Sequence, residues 1–232
     1  METIKVAKRK YSEKRFQPGR GLGSYKDPSK HSQTKEAKGA RIILERKRSD
    51  SESVNHKSIK TKHAQEILAP YSGLKILELF QGNGGMTSTY SYYGDVDGFD
   101  RKNGDGDSFI KFHTLISEKR KYNVIDLDPY GFPNRLFPDI FMLIDDGFLF
   151  VTTPNGKSVR NPWTKNLNTQ YWGNPKPELN DFIVNIIGYG RGHKREVKFI
   201  NNINLTDKMF RMVFRVKRMN ATKCKPKVDL LY

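Results

Sequence analysis

The chain has 232 residues, 42 Lys/Arg against 25 Asp/Glu, a formal charge of +17 and one cysteine, Cys224. This length suits one good core with or without appendages. A lone cysteine excludes an intrachain disulfide, no apolar run reaches the roughly 20 residues of a membrane span, and the N-terminus lacks the apolar centre of a signal peptide, so the cytoplasm is the expected compartment.

The charge is unevenly placed. Residues 1–63 hold 18 Lys/Arg against 7 Asp/Glu and residues 191–227 hold 12 against 2, while residues 64–190 hold 12 against 15. Two basic flanks around a slightly acidic middle favour a polyanionic partner, because each neutralised phosphate releases condensed counterions. Nucleic acid is therefore the expected partner, with no membrane.

Residues 1–58 are rich in Lys, Arg, Ser and Gln without apolar periodicity, and read as a basic, largely disordered arm. Residues 59–220 read as the folded domain and 221–232 as a basic tail. KTKHAQEILAPY predicts a short helix stopped by Pro70. Strand and helix then alternate. LKILELF (74–80) predicts a strand, GMTSTYSYY (85–93) a helical turn, DVDGFD (95–100) a strand, and SFIKFHTLISEKR (108–120) an amphipathic helix. NVIDLD (123–128) predicts the next strand, the fourth if a short one near 105 is counted. PNRLFPDIFMLIDDG (133–147) reads as mostly helix, FLFVTT (148–153) as strand, residues 154–177 as a Pro/Asn/Gly-rich loop, and PELNDFIVNIIGY (177–189) as helix. REVKFINNI and MFRMVFRVKR close the chain as a strand pair. The expected fold class is α/β: a doubly wound, mostly parallel sheet with an antiparallel C-terminal strand pair.

Of three glycine-rich stretches, GRGLGS (19–24) follows no strand, and GYGRGH (188–193) follows an apolar run of helix length and is expected to cap it. Only QGNGGMT (81–87) lies between a strand and a helix, where free backbone N–H groups face a ligand. It fails the dinucleotide pattern because Thr87 stands where the third glycine would be. As E-L-F-Q-G-N-G-G it resembles motif I of class I S-adenosylmethionine (SAM)-dependent methyltransferases, with Phe80 in place of the first glycine, a form common in nucleic-acid methylases. That resemblance implies a Rossmann-like methyltransferase fold with SAM as cofactor. It places Gly82 and Gly84 close to the cofactor and Glu78 near the ammonium of its methionine part. Asp100, 18 residues past Gly82, is the expected ribose acid, and Asp107 with Ser108 the pair near the adenine amine.

D128-P-Y-G131 ends its strand where ligands of parallel α/β sheets bind, and it resembles the catalytic tetrad of amino-methylating enzymes. An exocyclic base amine is a poor nucleophile because its lone pair is delocalised. Acceptors at Asp128 can hold its N–H groups and stabilise the charge growing on nitrogen. Pro129 fixes that backbone, and Tyr130 offers a face for a base taken out of its stack. Methylation at a ring carbon would need a cysteine nucleophile, and Cys224 lies in the basic tail. The five histidines, His31, His56, His63, His113 and His193, show no metal-ligand spacing.

IDLDPYGFP, QYWGNP (170–175), YGRG (189–192) and MFRMVFRVKR together resemble the catalytic domain of the tRNA guanine-N2 dimethyltransferases over roughly residues 74–218. The resemblance implies methyl transfer to an exocyclic amine of an RNA base, with Asp100 and Asp107-Ser108 binding SAM and Asp128 catalytic. DNA adenine-N6 methylation and a non-catalytic nucleic-acid-binding module on a methylase fold are the alternatives.

Overall fold

In the computed structural model the described residues are 54–82, 84–100, 107–129 and 131–219. The arm's residues 1–53, GRGLGS, Tyr130, residue 220, the tail 221–232 with Cys224, and any strand near 105 lie outside them. The first helix, α1 (Val54–Leu68), starts inside the stretch read as arm. Its Ala64 and Leu68 are fully buried and anchor the helix to the sheet.

Six strands follow: β1 (Leu74–Leu79), β2 (Gly94–Phe99), β3 (Tyr122–Leu127), β4 (Ile144–Pro154), β5 (Arg195–Thr206) and β6 (Met209–Arg218). They lie in the order β2-β1-β3-β4-β6-β5, with β6 antiparallel to both neighbours and the other pairings parallel. NVIDLD is thus the third described strand and sits next to β1. Alternate side chains feed two cores. Leu77, Leu79, Ile125 and Leu127 face one, with Phe112, Trp172, Phe182 and Ile186 from helices. Ile76, Val124, Phe150 and Val213 face the other, with Ala64 and Leu68 of α1 and Tyr90. Helices therefore cover both faces, as a doubly wound sheet requires.

The remaining helices are α2 (Thr87–Tyr90), α3 (Ser108–Ser117), α4 (Pro162–Trp172) and α5 (Leu179–Gly192). Three sequence expectations need correction. Residues 133–147 do not form an α-helix. They make two short 3-10 turns, Asn134–Leu136 and Asp139–Met142, before β4 begins at Ile144. Pro138 forces Phe137 into extended backbone, φ −97 and ψ 143, because a residue before proline is driven out of the helical region. The expected 154–177 loop contains α4. Asn161 caps it by accepting from the Trp163 N–H at 2.9 Å, Pro162 opens it, and Gly173 closes it in the left-handed region at φ 71. The glycines of GYGRGH do not cap a helix: Gly188, Gly190 and Gly192 lie within α5, and His193 is its cap. Gly190 is there for space, since a Cβ would collide with the Val197 side chain of β5.

No helix among the described residues is long and apolar enough to cross a membrane.

Candidate functional site

Three adjacent parallel strands end at the same level. Leu79 of β1 pairs with Phe99 of β2 on one side and with Leu127 of β3 on the other. Asp100 and Asp128 are the next residues after Phe99 and Leu127, so they flank the β1 exit two strand spacings apart, roughly 10 Å. Glu78 stands one residue inside, paired with Asp126 of β3.

The loop leaving β1 is fastened to the end of β2. Phe80 and Gln81 both donate their N–H to the Phe99 carbonyl, at 3.0 and 3.1 Å. Phe80, Gly82 and Gly84 have φ of 68, 60 and 73. Left-handed backbone is cheap for the two glycines and costs a phenylalanine of order 1–3 kcal/mol. Phe80 is held there by its ring, packed edge-on to Phe109 at 5.3 Å. The Gly82 N–H donates to Asp100 Oδ2 at 2.9 Å. Gln81 Nε2 donates to Thr87 Oγ1 at 2.6 Å, and Thr87 donates to Glu78 Oε2 at 2.7 Å. Glycine loop, α2 and Glu78 are thereby linked.

Glu78 is buried, and its carboxyl is pushed up to about 8 from its ordinary 4.5. Burial is the chief cause; the Thr87 hydrogen bond opposes it, and the negative charges of Asp126 and Asp128 add to it. Between those two values the folded chain holds a proton that the unfolded chain has lost, so this group's contribution to stability falls as pH rises through that window. Glu78→Gln keeps an acceptor for Thr87 and removes the proton linkage. The expected outcome, read by thermal unfolding without cofactor, is a Tm advantage for the variant that widens from about pH 5 to pH 8.

Asp126, unexplained by sequence alone, belongs to a buried network. Arg211 Nη1 and Nη2 donate to its two carboxylate oxygens at 2.9 Å each, and the Tyr90 hydroxyl donates to Oδ2 at 2.7 Å. Asp128 is half-buried, and its Oδ2 is paired with Lys60 Nζ of α1 at 2.5 Å. Lys60, Thr87, Tyr90 and Arg211 were all missed from sequence. The available signals were a lysine one turn before Ala64 on the buried face of α1, and an arginine inside an apolar strand that has neighbours on both sides.

Asp107 and Ser108 are together at the start of α3, engaged with the protein. Asp107 Oδ1 accepts from the Phe109 N–H at 2.8 Å as the helix cap, and the buried Ser108 hydroxyl donates to the Phe99 carbonyl at 3.0 Å. Ser108 thus holds the end of β2, and Asp107 fixes the start of α3. Pro129 follows Asp128 and is half-buried. Tyr130, expected to face the base, lies outside the described residues.

No family model matches the sequence, and no curated protein matches it. Solved structures do. Trm1 from Pyrococcus horikoshii, in complex with S-adenosyl-L-methionine, superposes with a TM-score of 0.54 at 14% identity, over 71% of this chain and 54% of that one. Trm5b from Pyrococcus abyssi gives 0.47 at 10% identity, over 70% and 49%. An S-adenosylmethionine-dependent methyltransferase from Clostridium acetobutylicum gives 0.46 at 10%, over 81% and 100%. The chain thus spans about half the length of the first two. The fold is the Rossmann-like one of class I methyltransferases.

Proposed function

We propose that the chain is a SAM-dependent methyltransferase acting on an exocyclic amine of a nucleic-acid base, with guanine-N2 in tRNA as its first-choice target. One observation carries the reading: Glu78, Asp100 and Asp128 stand at the carboxyl ends of three adjacent parallel strands, around a loop with glycines at positive φ. Ligands of such sheets bind at that edge. The donor set suits the cofactor. Asp100 accepts hydrogen bonds, as two ribose hydroxyls require, Glu78 meets an ammonium by giving up the proton that its burial favours, and the glycines present backbone without side chains. SAM, when bound, supplies an electrophilic methyl group. Ser108 shapes the adenine end through the β2 terminus that it holds, and Asp107 by capping α3.

The rest of the chemistry belongs to this chain. Asp128 Oδ1 accepts the amine N–H, directs the nitrogen lone pair outward and takes the proton that nitrogen sheds as it gains its new bond. Pro129 holds that carboxylate's backbone, and Tyr130 provides the stacking face for the base. The basic flanks grip phosphates, so binding weakens steeply with salt.

The test is direct. The full chain is incubated with methyl-labelled SAM and either total tRNA or duplex DNA, followed by digestion and nucleoside identification. Label on guanine-N2 of tRNA is expected. Label on adenine-N6 of DNA moves the substrate to DNA, and tight binding without label on either leaves a binding module. Asp100→Ala, which loses a charged acceptor and the brace on Gly82, should lower SAM affinity by roughly 10- to 100-fold in calorimetry.

A further inference from the structure

Three acids share one face of the β1–β3 pair, and each has its own partner. Arg211 holds Asp126, Thr87 holds Glu78, and Lys60 holds Asp128. The third differs from the first, whose cation stands on β6, because Lys60 comes from a helix outside the sheet. α1 leads into β1 and runs back along it, so its N-terminal half reaches the strands' carboxyl ends. Lys60 sits one helical turn before Ala64 and two before Leu68, both fully buried, so it occupies an inward position. Its side chain is only 13% exposed. Burying a lysine to that extent is costly unless the charge is used. The neighbours fix it further: Thr61 Oγ1 lies 3.1 Å from Thr89 Oγ1 and 3.8 Å from Met86 Sδ, and the Lys57 stem lies beside Gly85. Lys60 engages Oδ2 of Asp128, while Oδ1 has no hydrogen-bond or ion-pair partner among the described residues.

We propose that Lys60 is the positioning residue of the site: by clamping Asp128 Oδ2 it aims Oδ1 at the incoming amine. This rests on the proposed methyl transfer and adds to it a residue that acts through Asp128. Lysine is suited to the task, since its ammonium is a compact point charge that holds one oxygen and leaves the other open. The titratable and charged groups around Asp128 are then Lys60 from α1, Glu78 from β1, Asp126 from its own strand and Arg211 from β6. Of these, only Lys60 touches it.

The experiment is a double-mutant cycle on the full chain with saturating SAM. Lys60→Met should lower kcat roughly 10- to 100-fold, the cost of a misaimed group, with KM for nucleic acid and Kd for SAM changed by no more than about twofold. Lys60→Arg, whose guanidinium fork can engage both carboxylate oxygens, should restore only part of the rate lost in Lys60→Met. In an Asp128→Asn background Lys60→Met should cost nothing further, because its effect runs through the carboxylate. An unchanged kcat in Lys60→Met, a loss confined to KM for nucleic acid, or full additivity with Asp128→Asn would each overturn the proposal. If Lys60→Met does not fold, Lys60→Gln is read by the same criteria. A wild-type chain that binds SAM but methylates neither tRNA nor DNA overturns the methyl-transfer reading itself, whereas normal wild-type turnover with an unaffected Lys60 variant overturns this inference alone.

Discussion

Asp128→Ala is expected to abolish methyl transfer, a loss of at least about 100-fold, while SAM binding measured by calorimetry should stay within about twofold. The asymmetry follows from position. Asp128 stands just past the end of β3, on the far side of β1 from Asp100, and reaches toward α1 and not into the glycine loop. Removing its carboxylate deletes the acceptor for the amine proton and also leaves Lys60 as an uncompensated cation beside a nitrogen that must become more positive. Both changes act on the transition state and neither on the cofactor. The Asp128 side chain is 26% exposed and Lys60 only 13%, so a fall in Tm is expected from the lysine left without its partner, which makes SAM binding the control that the site still folds. Tritium transferred from SAM to nucleic acid at an undiminished rate in this variant would remove Asp128 from the chemistry.

The parts of the molecule readable from sequence are those where one physical rule governs locally. β1 and β3 are short apolar runs with an acid one residue before or after their last leucine, and α3 carries Phe112 and Leu115 at helical spacing behind an aspartate cap. These elements bring Glu78, Asp100 and Asp128 to one edge, and the sequence pattern pointed to that edge. What was not readable depended on contacts distant in sequence. α4 buries only Asn168 and Trp172, too little apolar surface to produce a periodic signal, so its Pro and Asn looked like loop when they were helix-starting residues. The run 139–144 is apolar enough for a helix, yet it divides between a 3-10 turn and the start of β4, where Ile144 pairs with the distant Tyr122 of β3. Asp126 was visible as an oddity, but its partner lies 85 residues away. Lys60 is separated from Asp128 by 68 residues, and its one local signal, a place one turn before the buried Ala64, names no partner.

The largest stability effect is expected at the pair that answers for Asp126. Arg211 is fully buried on β6, between β4 and β5, and both of its terminal nitrogens reach Asp126. Nη1 also donates to Thr152 Oγ1 at 3.1 Å, Nη2 to the Tyr90 hydroxyl at 2.8 Å, and the guanidinium lies 4.9 Å from the centre of the Phe150 ring. Burial alone would lower the arginine's proton affinity; the charge of Asp126 overrides this and raises it, while burial pushes the Tyr90 phenol well above its ordinary value. Both groups therefore keep their protons across the accessible pH range, and the network is a fixed strut. Arg211→Met strands the Asp126 carboxylate in the core, and the expected cost is about 3–5 kcal/mol out of the 5–15 kcal/mol typical of a domain. Joining it to Asp126→Leu removes both charges together, and the double variant should recover most of that loss, since paired buried charges often contribute little beyond their own desolvation. Urea denaturation of the single and double variants gives both numbers. A single variant as stable as wild type, or a double variant no better than the single, would show that the strut is not what holds β3 and β6 in register with α2. Because Asp126 lies two residues before Asp128 on the same face, a recovered double variant that regains its stability and its methyl transfer together would show that the site needs the strand held in place and has no further use for this charge.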